Sequence, residues 1–261
     1  MRKCVFTLCD DKYSEPCKVM LTSFLMNNSW FDGDIVILYD SLSENNMEKI
    51  KIVSDKISFY EVNKDNKYDL FIKNKKLPTA STLIKCYYKF EVFNSFFSDK
   101  YDCGLWLDSD IVVRVDISEI FNADCDFAWC EDRISKNGEY CNSGVFMFSY
   151  DKLKGDGFYS TLFEFGKKPI FKRRHSGNGR YADQDVLNEI VFDYFDNVKI
   201  LNKNEYNETK YGGSDYKNAK IIHYCGGEKP FLKKNGNIYD SYYLWYYYYY
   251  VMKSNEELVK C

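Results

Sequence analysis

The sequence is first informative for what it has little of. Only two histidines and four prolines occur among 261 residues, and the net charge is −3. No apolar run reaches the roughly 18 residues that a membrane-spanning helix needs, and the lack of a CxxC pair speaks against a structural zinc site. The small net charge gives no reason to expect nucleic acid or an anionic membrane as a partner. Without a Pro-rich linker, one compact domain over residues 1–261 is expected.

Cysteine is the exception, with ten residues, but their spacing is irregular and the chain is longer than a disulfide scaffold. The N-terminal stretch MRKCVFTLCDDKYSEP interrupts its apolar run at Asp10, which is too early for a signal peptide. These features predict free thiols and a reducing, cytoplasmic setting. Hydrophobic residues make up 45% of the chain, which is enough for a substantial core.

Strand-like and helix-like segments alternate along the first hundred residues. Strands are predicted over 3–10, 33–40, 57–62 and 103–110, and helices over 15–28, 43–55 and 81–97. This alternation indicates βαβ units and a mostly parallel sheet in an α/β fold. Ligands of such sheets bind beyond the carboxyl ends of the strands. Because Asp10, Asp108 and Asp110 stand at such ends, the sequence predicts a binding site there.

The second half is less regular. Strands of a mixed region are predicted over 127–132 and 140–150, a helix over 182–195, and a strand that ends in His223. The run WYYYYY at 245–250 predicts a C-terminal helix that packs its rings on the core and keeps its hydroxyls in water. Stacking of these rings on a sugar is the alternative.

Two like charges stand inside the apolar stretch CGLWLDSDIVV. Residues i and i+2 of a strand project from the same face, so the carboxylates of Asp108 and Asp110 are expected side by side. Adjacent anions repel each other unless a cation lies between them, and a hard divalent cation is the usual partner. A strand end followed by a solvated acidic turn is the alternative.

Four stretches occur in a fixed order, namely LWLDSDIVV, YCNSGVFMF, ADQDVLN and IIHYCGGEKPF. Together they resemble glycosyltransferase family 8, the glycogenin-like retaining transferases, over about residues 3–231. The resemblance implies a glycosyltransferase-A fold, in which helices flank a Rossmann-like, mostly parallel or mixed sheet. It implies a nucleotide-binding half over about 1–115 and a sugar and acceptor half over 116–235, followed by the aromatic helix over 236–261.

The resemblance also implies a metal site at the donor diphosphate. Asp108, Asp110 and His223 would hold the ion, typically manganese with magnesium as the other option, and Ser109 would lie beside the donor. Gly226 would let the backbone approach a phosphate, and Lys229 would place a point charge on it. Such groups suit the chemistry, because the departing diphosphate gains negative charge.

Other donor contacts follow from the same resemblance. Thr7, Leu8, Asp10 and Tyr13 would form the uracil pocket, with the ring of Tyr13 stacked on the base. Lys85 would contact the sugar or the diphosphate, and on periodicity alone it would be an exposed helix lysine.

The sugar side of the site is implied in the same way. Asn142, Ser143 and Gly144 would hydrogen-bond the sugar hydroxyls, or would form a plain turn. Asp183 would orient the sugar and Gln184 would lie near the anomeric carbon; with Lys85, these two are the predicted catalytic residues. The basic loop at 172–180 would receive an anionic acceptor or close over the diphosphate, with a solvated loop as the alternative.

The predicted reaction moves a hexose from a UDP-sugar, UDP-glucose first and UDP-galactose next, to a hydroxyl acceptor with retention of configuration. Retention needs double displacement or a same-face attack assisted by the leaving phosphate, and we favour the second. The acceptor stays open between a glycan, a lipid-linked sugar, a polyol and a protein side chain, including one of the 24 tyrosines of this chain, as in glycogenin. A homodimer is a further expectation from the resemblance.

Two other functions are compatible with an Asp-x-Asp sequence. A divalent-metal phosphohydrolase would carry this pair after the first strand of its domain and would leave HYCGGEKP without a role. A catalytically idle protein that binds nucleotide sugars would not need both aspartates, His223 and Lys229.

Overall fold

A computed structural model describes residues 1–63, 67–73, 81–132, 135, 140–168, 170, 182–209, 214–226, 229–232 and 240–258. The strands are β1 (Lys3–Leu8), β2 (Asp34–Tyr39), β3 (Ile57–Glu61), β4 (Cys103–Leu107), β5 (Ile111–Val113), β6 (Phe127–Glu131), β7 (Cys141–Ser149), β8 (Val198–Leu201) and β9 (Ile221–His223). The α-helices are α1 (Ser14–Asn27), α2 (Glu44–Lys51), α3 (Asp69–Lys73), α4 (Ser95–Ser98), α5 (Ser118–Phe121), α6 (Gly157–Lys167), α7 (Ala182–Tyr194), α8 (Lys203–Tyr206) and α9 (Tyr242–Leu258). Turns of 3₁₀ helix cover Asp11–Tyr13, Tyr150–Leu153 and Ser214–Lys217, and a long 3₁₀ helix covers Ser81–Phe93.

Seven of the described strands form one mixed sheet, in the order β3-β2-β1-β4-β7-β6-β8. The first four strands in this order run parallel, β7 runs antiparallel to both of its neighbours, and β8 is parallel to β6. The predicted α/β fold with a mostly parallel or mixed sheet is therefore confirmed. Each of the four strands predicted in the first half lies inside its predicted run.

Helices cover both faces of this sheet, which is why its central strands are apolar throughout. Side chains of β1 alternate between the faces: Phe6 belongs to a core cluster with residues of the long 3₁₀ helix, α6 and α7. Val5 belongs to a second cluster on the opposite face, with residues of α1 and α5. The sheet is thus the middle layer of three.

A smaller sheet pairs β5 with β9 in antiparallel register, with Ile111 opposite His223. The aromatic helix α9 packs on these two strands through side chains that include Trp245 and Tyr248. Tyr243, Tyr247 and Tyr250 on its other face are exposed. The predicted packing role of this helix is confirmed. No helix in the described ranges is both long and apolar enough to cross a bilayer.

Two local predictions are wrong. The segment predicted as one helix over 81–97 is divided at Asn94, whose backbone is extended (φ −78°, ψ 161°) between the long 3₁₀ helix and α4. The side chain of Asn94 does not cap α4, and its Nδ2 donates to the hydroxyl of Tyr60 (3.4 Å) and to Glu91 Oε2 (3.3 Å).

Asp108 and Asp110 also lie in a turn and not in a strand, because the chain changes sheets between them. Asp108 N donates to Gly144 O (2.9 Å) beside the main sheet, whereas Asp110 O accepts from Tyr224 N (2.9 Å) beside the small one. This turn is not the solvated one of the alternative interpretation, because only 7% of the surface of Asp110 is exposed.

Candidate active site

A cavity of about 660 Å³ opens beyond the carboxyl ends of β1 and β4. Almost all of the predicted site residues line it: Leu8, Asp10, Tyr13, Lys85, Asp108, Ser109, Asp110, Asn142, Ser143, Gly144, Asp183, Gln184, His223, Gly226 and Lys229. Thr7 does not line the cavity, and its predicted place in the uracil pocket stays a prediction. Successive strand residues face opposite sides, so Thr7 points into the packed layer while Leu8 reaches the cavity; Thr7 is fully buried.

Three ligand atoms converge on one wall of the cavity. Those of Asp108, Asp110 and His223 all lie within 4.8 Å of one another. His223 Nε2 is 3.2 Å from Asp110 Oδ1 and 3.6 Å from Asp108 Oδ2. The pairing of β5 with β9 brings them together, because it sets the end of β9 against the turn that carries both aspartates. Two carboxylates and one imidazole are a donor set that suits manganese and also admits magnesium.

Charges around Asp110 keep it ionised although it is buried. Burial by itself would raise its pKa, but His223 and Lys229 outweigh this effect and hold the pKa of Asp110 below its usual range. The ammonium group of Lys229 contacts the Asp110 carboxylate directly. Burial lowers the pKa of Lys229, but Asp110 outweighs this and raises it to about 12. Both groups therefore carry their charges at neutral pH.

Aromatic rings and α9 hold the segment that carries Lys229. Nζ of Lys229 lies 5.5 Å from the ring centroid of Tyr13 and 5.8 Å from that of Phe231, and the centroids of these two rings are 5.7 Å apart. The hydroxyl of Tyr246, on α9, donates to the carbonyl of Pro230 (3.0 Å). The C-terminal helix thus helps to fix the position of the Lys229 ammonium group in the site.

A second buried lysine, Lys89, was missed by the sequence analysis. Its Nζ donates to Asp183 Oδ2 (2.8 Å) and to Ser143 O (3.0 Å), and it lies 3.5 Å from Asp108 Oδ1. Burial would lower the pKa of Lys89, but Asp108 and Asp183 outweigh it and raise the pKa. The stretch TLIKCYYKF carries two lysines, and only the second reaches the aspartates beside the cation site.

Lys85 contacts a different pair of carboxylates on the cavity wall. Its Nζ is 2.9 Å from Asp10 Oδ2 and 3.0 Å from Asp40 Oδ1, and a third of the side chain is exposed. Asp10 also has a structural role, because its Oδ1 accepts from the backbone N–H groups of Lys12 and Tyr13 and so caps the helical turn after β1. The predicted contact of Lys85 with the sugar or diphosphate stays a prediction.

Polar side chains of β7 and α7 form the remaining wall. Ser143 Oγ donates to Asp183 Oδ2 (2.7 Å), and Asn142 Nδ2 donates to Gln184 Oε1 (3.0 Å). Gln184 Nε2 in turn donates to Asp132 Oδ2 (3.1 Å), a residue that the sequence analysis did not single out. Burial raises the pKa of Asp183 although Lys89 and Ser143 oppose this. The wall offers amide groups and a carboxylate to a polar ligand.

Parts of two predicted motifs lie outside the described residues. These are Gly227 and the basic loop with Arg173, Arg174, His175 and Arg180.

Known proteins resemble this chain along most of its length. The model of the family described as glycosyl transferase family 8 matches residues 4–235. General stress protein A of Bacillus subtilis is 21% identical over 92% of this chain and 91% of that protein. Lipopolysaccharide 1,2-glucosyltransferase of Escherichia coli is 24% identical over 86% of this chain and 71% of that protein.

Solved structures share the fold. The galactosyltransferase LgtC, in complex with donor and acceptor sugar analogues, has a TM-score of 0.69 and 18% identity, with 95% of each chain covered. Because the family model covers most of the sequence, the predicted family is confirmed: this chain belongs to glycosyltransferase family 8 and is a glycosyltransferase.

Proposed function

We propose that this protein transfers a hexose from a UDP-sugar to a hydroxyl acceptor, with retention of configuration and with the help of a divalent cation. The observation that carries the proposal is the convergence of Asp108, Asp110 and His223 beside Lys229. A diphosphate leaving group gains negative charge as its bond to the sugar breaks, and this cluster, with a divalent cation bound, would place positive charge at one point of the cavity.

The ion would be held by the two carboxylates and by Nε2 of His223. When bound, a divalent cation neutralises charge on the departing diphosphate. Lys229 is close enough to Asp110 to bind the same diphosphate as a point charge. Gly226 has φ +88°, a conformation that L side chains rarely adopt, and its backbone can approach a phosphate closely.

The sugar would lie against the wall formed by β7 and α7. Gln184 and Asn142 offer amide groups to its hydroxyls, and Asp183 orients it. Lys89 and Ser143 both bind Oδ2 of Asp183, which supports an orienting role over a nucleophilic one. In the same-face route, the bond from the anomeric carbon to the phosphate oxygen breaks and a bond to the acceptor oxygen forms. The acceptor proton passes to the leaving phosphate.

The uracil pocket would be formed by Leu8, Asp10 and Tyr13, with the ring of Tyr13 next to Lys229. Lys85 pairs with Asp10 of this pocket, whereas Lys89 contacts Asp183 and lies near Asp108, so we propose Lys89 for the position near the sugar and diphosphate. Glucose is the first donor to test, since one relative is named a glucosyltransferase, and galactose is the second. Self-glucosylation can be tested with UDP-glucose as well.

The test is release of UDP from UDP-glucose and from UDP-galactose with Mn²⁺, before and after addition of EDTA. We expect release that EDTA abolishes and excess Mn²⁺ restores, with NMR of the product showing the anomeric configuration of the donor. Release of inorganic phosphate alone would indicate a phosphohydrolase, and tight binding without turnover an idle binding protein. Intact mass after incubation with UDP-glucose reports self-glucosylation as added hexose units, and an unchanged mass excludes it.

A further inference from the structure

The two ring nitrogens of His223 have different surroundings. Nε2 faces the carboxylates of Asp110 (3.2 Å) and Asp108 (3.6 Å). On the other edge of the ring, Nδ1 lies 2.9 Å from Oδ1 of Asn207. Both His223 and Asn207 are buried, each with 3% of its surface exposed, so water does not compete for this contact.

An amide oxygen accepts hydrogen bonds and cannot donate them. The Asn207 contact therefore requires a proton on Nδ1 of His223, and in a neutral ring this leaves the lone pair on Nε2. That lone pair points to the place where the ligand atoms of Asp108 and Asp110 converge. The opposite tautomer would direct an N–H group at the cation site and set two lone pairs against each other at Asn207.

Packing keeps the ring in this orientation. A Cβ atom on Gly144 would lie 2.3 Å from Cε1 and 2.7 Å from Nδ1 of His223, so the ring rests directly on the glycine backbone. This close approach gives Gly144 a reason to be glycine that is independent of the sugar.

The backbone holds Asn207 in place as well. Asn207 directly follows α8 as its C-cap, and its own N–H donates to Lys203 O (3.1 Å). The next residue, Glu208, accepts from His223 N (3.0 Å) and donates to Ile221 O (3.1 Å). Asn207 and His223 are therefore fixed to each other through the backbone, not only through the side-chain contact.

We propose that Asn207 is a positioning residue, which fixes His223 in the tautomer with the proton on Nδ1 and so leaves Nε2 to bind the divalent cation. The inference rests on the proposed function only in that His223 is taken as a ligand of the ion. It extends that function to a residue that does not line the cavity.

The tautomer can be measured directly, because the chain has only two histidines. Long-range ¹H–¹⁵N NMR of the protein saturated with diamagnetic Mg²⁺ gives the protonation of each ring nitrogen, and His175→Gln assigns the signals. We expect the proton of His223 on Nδ1. A proton on Nε2 in the wild-type protein overturns the proposal without recourse to any variant.

Variants of nearly the same shape separate the hydrogen bond from packing. Asn207→Leu loses the acceptor, and we expect the Nε2–H tautomer to appear and the calorimetric Kd for Mn²⁺ to rise about 10–100-fold. Asn207→Asp keeps an acceptor oxygen and is expected to retain the wild-type tautomer and a Kd close to wild type. Asn204→Leu, an exposed change on α8, is the matched control and should alter neither quantity.

Unchanged Mn²⁺ affinity in folded Asn207→Leu overturns the proposal, as does a wild-type protein that binds no Mn²⁺. Thermal unfolding of each variant shows whether it is folded. Failure of the proposed function looks different: tautomer and affinity would follow residue 207 as expected, while the wild-type protein released no UDP from either sugar nucleotide.

Discussion

Two groups of charged side chains line the cavity, which we call the Asp10 end and the Asp108 end, and they use the same kinds of residue in different surroundings. The Asp10 end consists of Asp10, Asp40 and Lys85. The Asp108 end consists of Asp108, Asp110, Asp183, Lys89, His223 and Lys229. The lysine of the Asp10 end has 34% of its side chain exposed, whereas those of the Asp108 end have 5% and 8%. Loss of a charged contact should therefore cost more free energy at the Asp108 end than at the Asp10 end.

One helix supplies a lysine to each end. Lys85 and Lys89 are both in the long 3₁₀ helix Ser81–Phe93, where four residues advance about 8 Å and a third of a turn beyond one full turn. That displacement is enough to separate a partly solvated ion pair from a buried one. Residue type and helix position alone therefore do not indicate which lysine pairs with Asp183.

The largest expected effect is that of Asp110→Asn at the Asp108 end. The change removes a proposed ligand of the cation and leaves the buried Lys229 without its counter-charge. We expect the rate of UDP release to fall by about 10³-fold or more, as for loss of a group that stabilises developing charge. Initial rates at saturating Mn²⁺ measure the effect.

Asp40→Asn is the matched change at the Asp10 end. Its expected loss is below about tenfold, because its partner Lys85 is a third exposed and keeps Asp10 as a counter-charge. Equal losses in the two variants would contradict the distinction between the ends.

The next effect is that of Lys89→Met. Removing one partner of a buried ion pair leaves the carboxylate of Asp183 uncompensated, so the free energy of unfolding should fall by about 3 kcal/mol. The kcat for transfer should fall by about 10²-fold, because Asp183 loses the group that orients it. Urea unfolding and steady-state kinetics measure these two quantities, and a kcat near that of the wild-type enzyme would remove Lys89 from the mechanism.

Lys85→Met repeats the substitution four residues earlier. Because its ion pairs are partly solvated, the free energy of unfolding should change by about 1 kcal/mol or less. The KM for the UDP-sugar should rise by less than about tenfold with kcat nearly unchanged, as for loss of a contact made equally in the ground and transition states. A fall in kcat as large as that of Lys89→Met would support the sequence-based assignment of Lys85 as catalytic.

Much of the fold and the cation cluster could be predicted from the sequence. The strands β1 to β4 are continuous apolar runs because both faces of the sheet are covered, and such runs are recognisable without a structure. The cluster was predicted because Asp108, Asp110 and His223 stand in stretches that resemble the family. The resemblance therefore predicts that these three residues lie close together, without knowledge of the turn in which the aspartates lie.

The sequence does not indicate which way each side chain faces or what lies across from it. Thr7 was assigned to the uracil pocket, whereas the strand directs its neighbour Leu8 to the cavity. Lys89 was overlooked because its partners, Asp183 and Ser143, come from distant segments. Asn207 stands in a short segment without a motif, and only the backbone contacts to β9 bring it to His223. Such contacts depend on long-range pairing, which local patterns do not contain.

The smallest expected effect is on the pH dependence of stability, in which Asp183 differs from Asp110. Burial raises the pKa of Asp183, unlike that of Asp110, so folded protein retains a proton that the unfolded chain releases near pH 4. The stability that this proton contributes is fully present below the pKa of the unfolded chain. It is lost as pH rises through the pKa of the folded protein, by about 1.4 kcal/mol for each pH unit that separates the two pKa values.

Asp183→Asn does not titrate, so it serves as the reference. The stability of the wild-type protein minus that of the variant should decrease from about pH 4 upward and then level off. Urea unfolding of both chelator-treated proteins at several pH values measures the difference. A difference that stays constant or increases with pH would show that the pKa of Asp183 is not raised.

The indole of Trp106 lies beside the proposed cation site, so its fluorescence can report on that site. Its Nε1 donates to Asp108 Oδ1 (2.7 Å), and Nζ of Lys89 lies 5.2 Å from the ring centroid. Only four tryptophans are present, so the intrinsic fluorescence of the protein has few sources. A paramagnetic ion at Asp108 quenches an adjacent indole, whereas diamagnetic Mg²⁺ does not quench it in this way. Titration with Mn²⁺ should therefore reduce the tryptophan fluorescence, and this decrease reports occupancy of the cation site without an added label. Trp106→Phe should abolish most of the decrease.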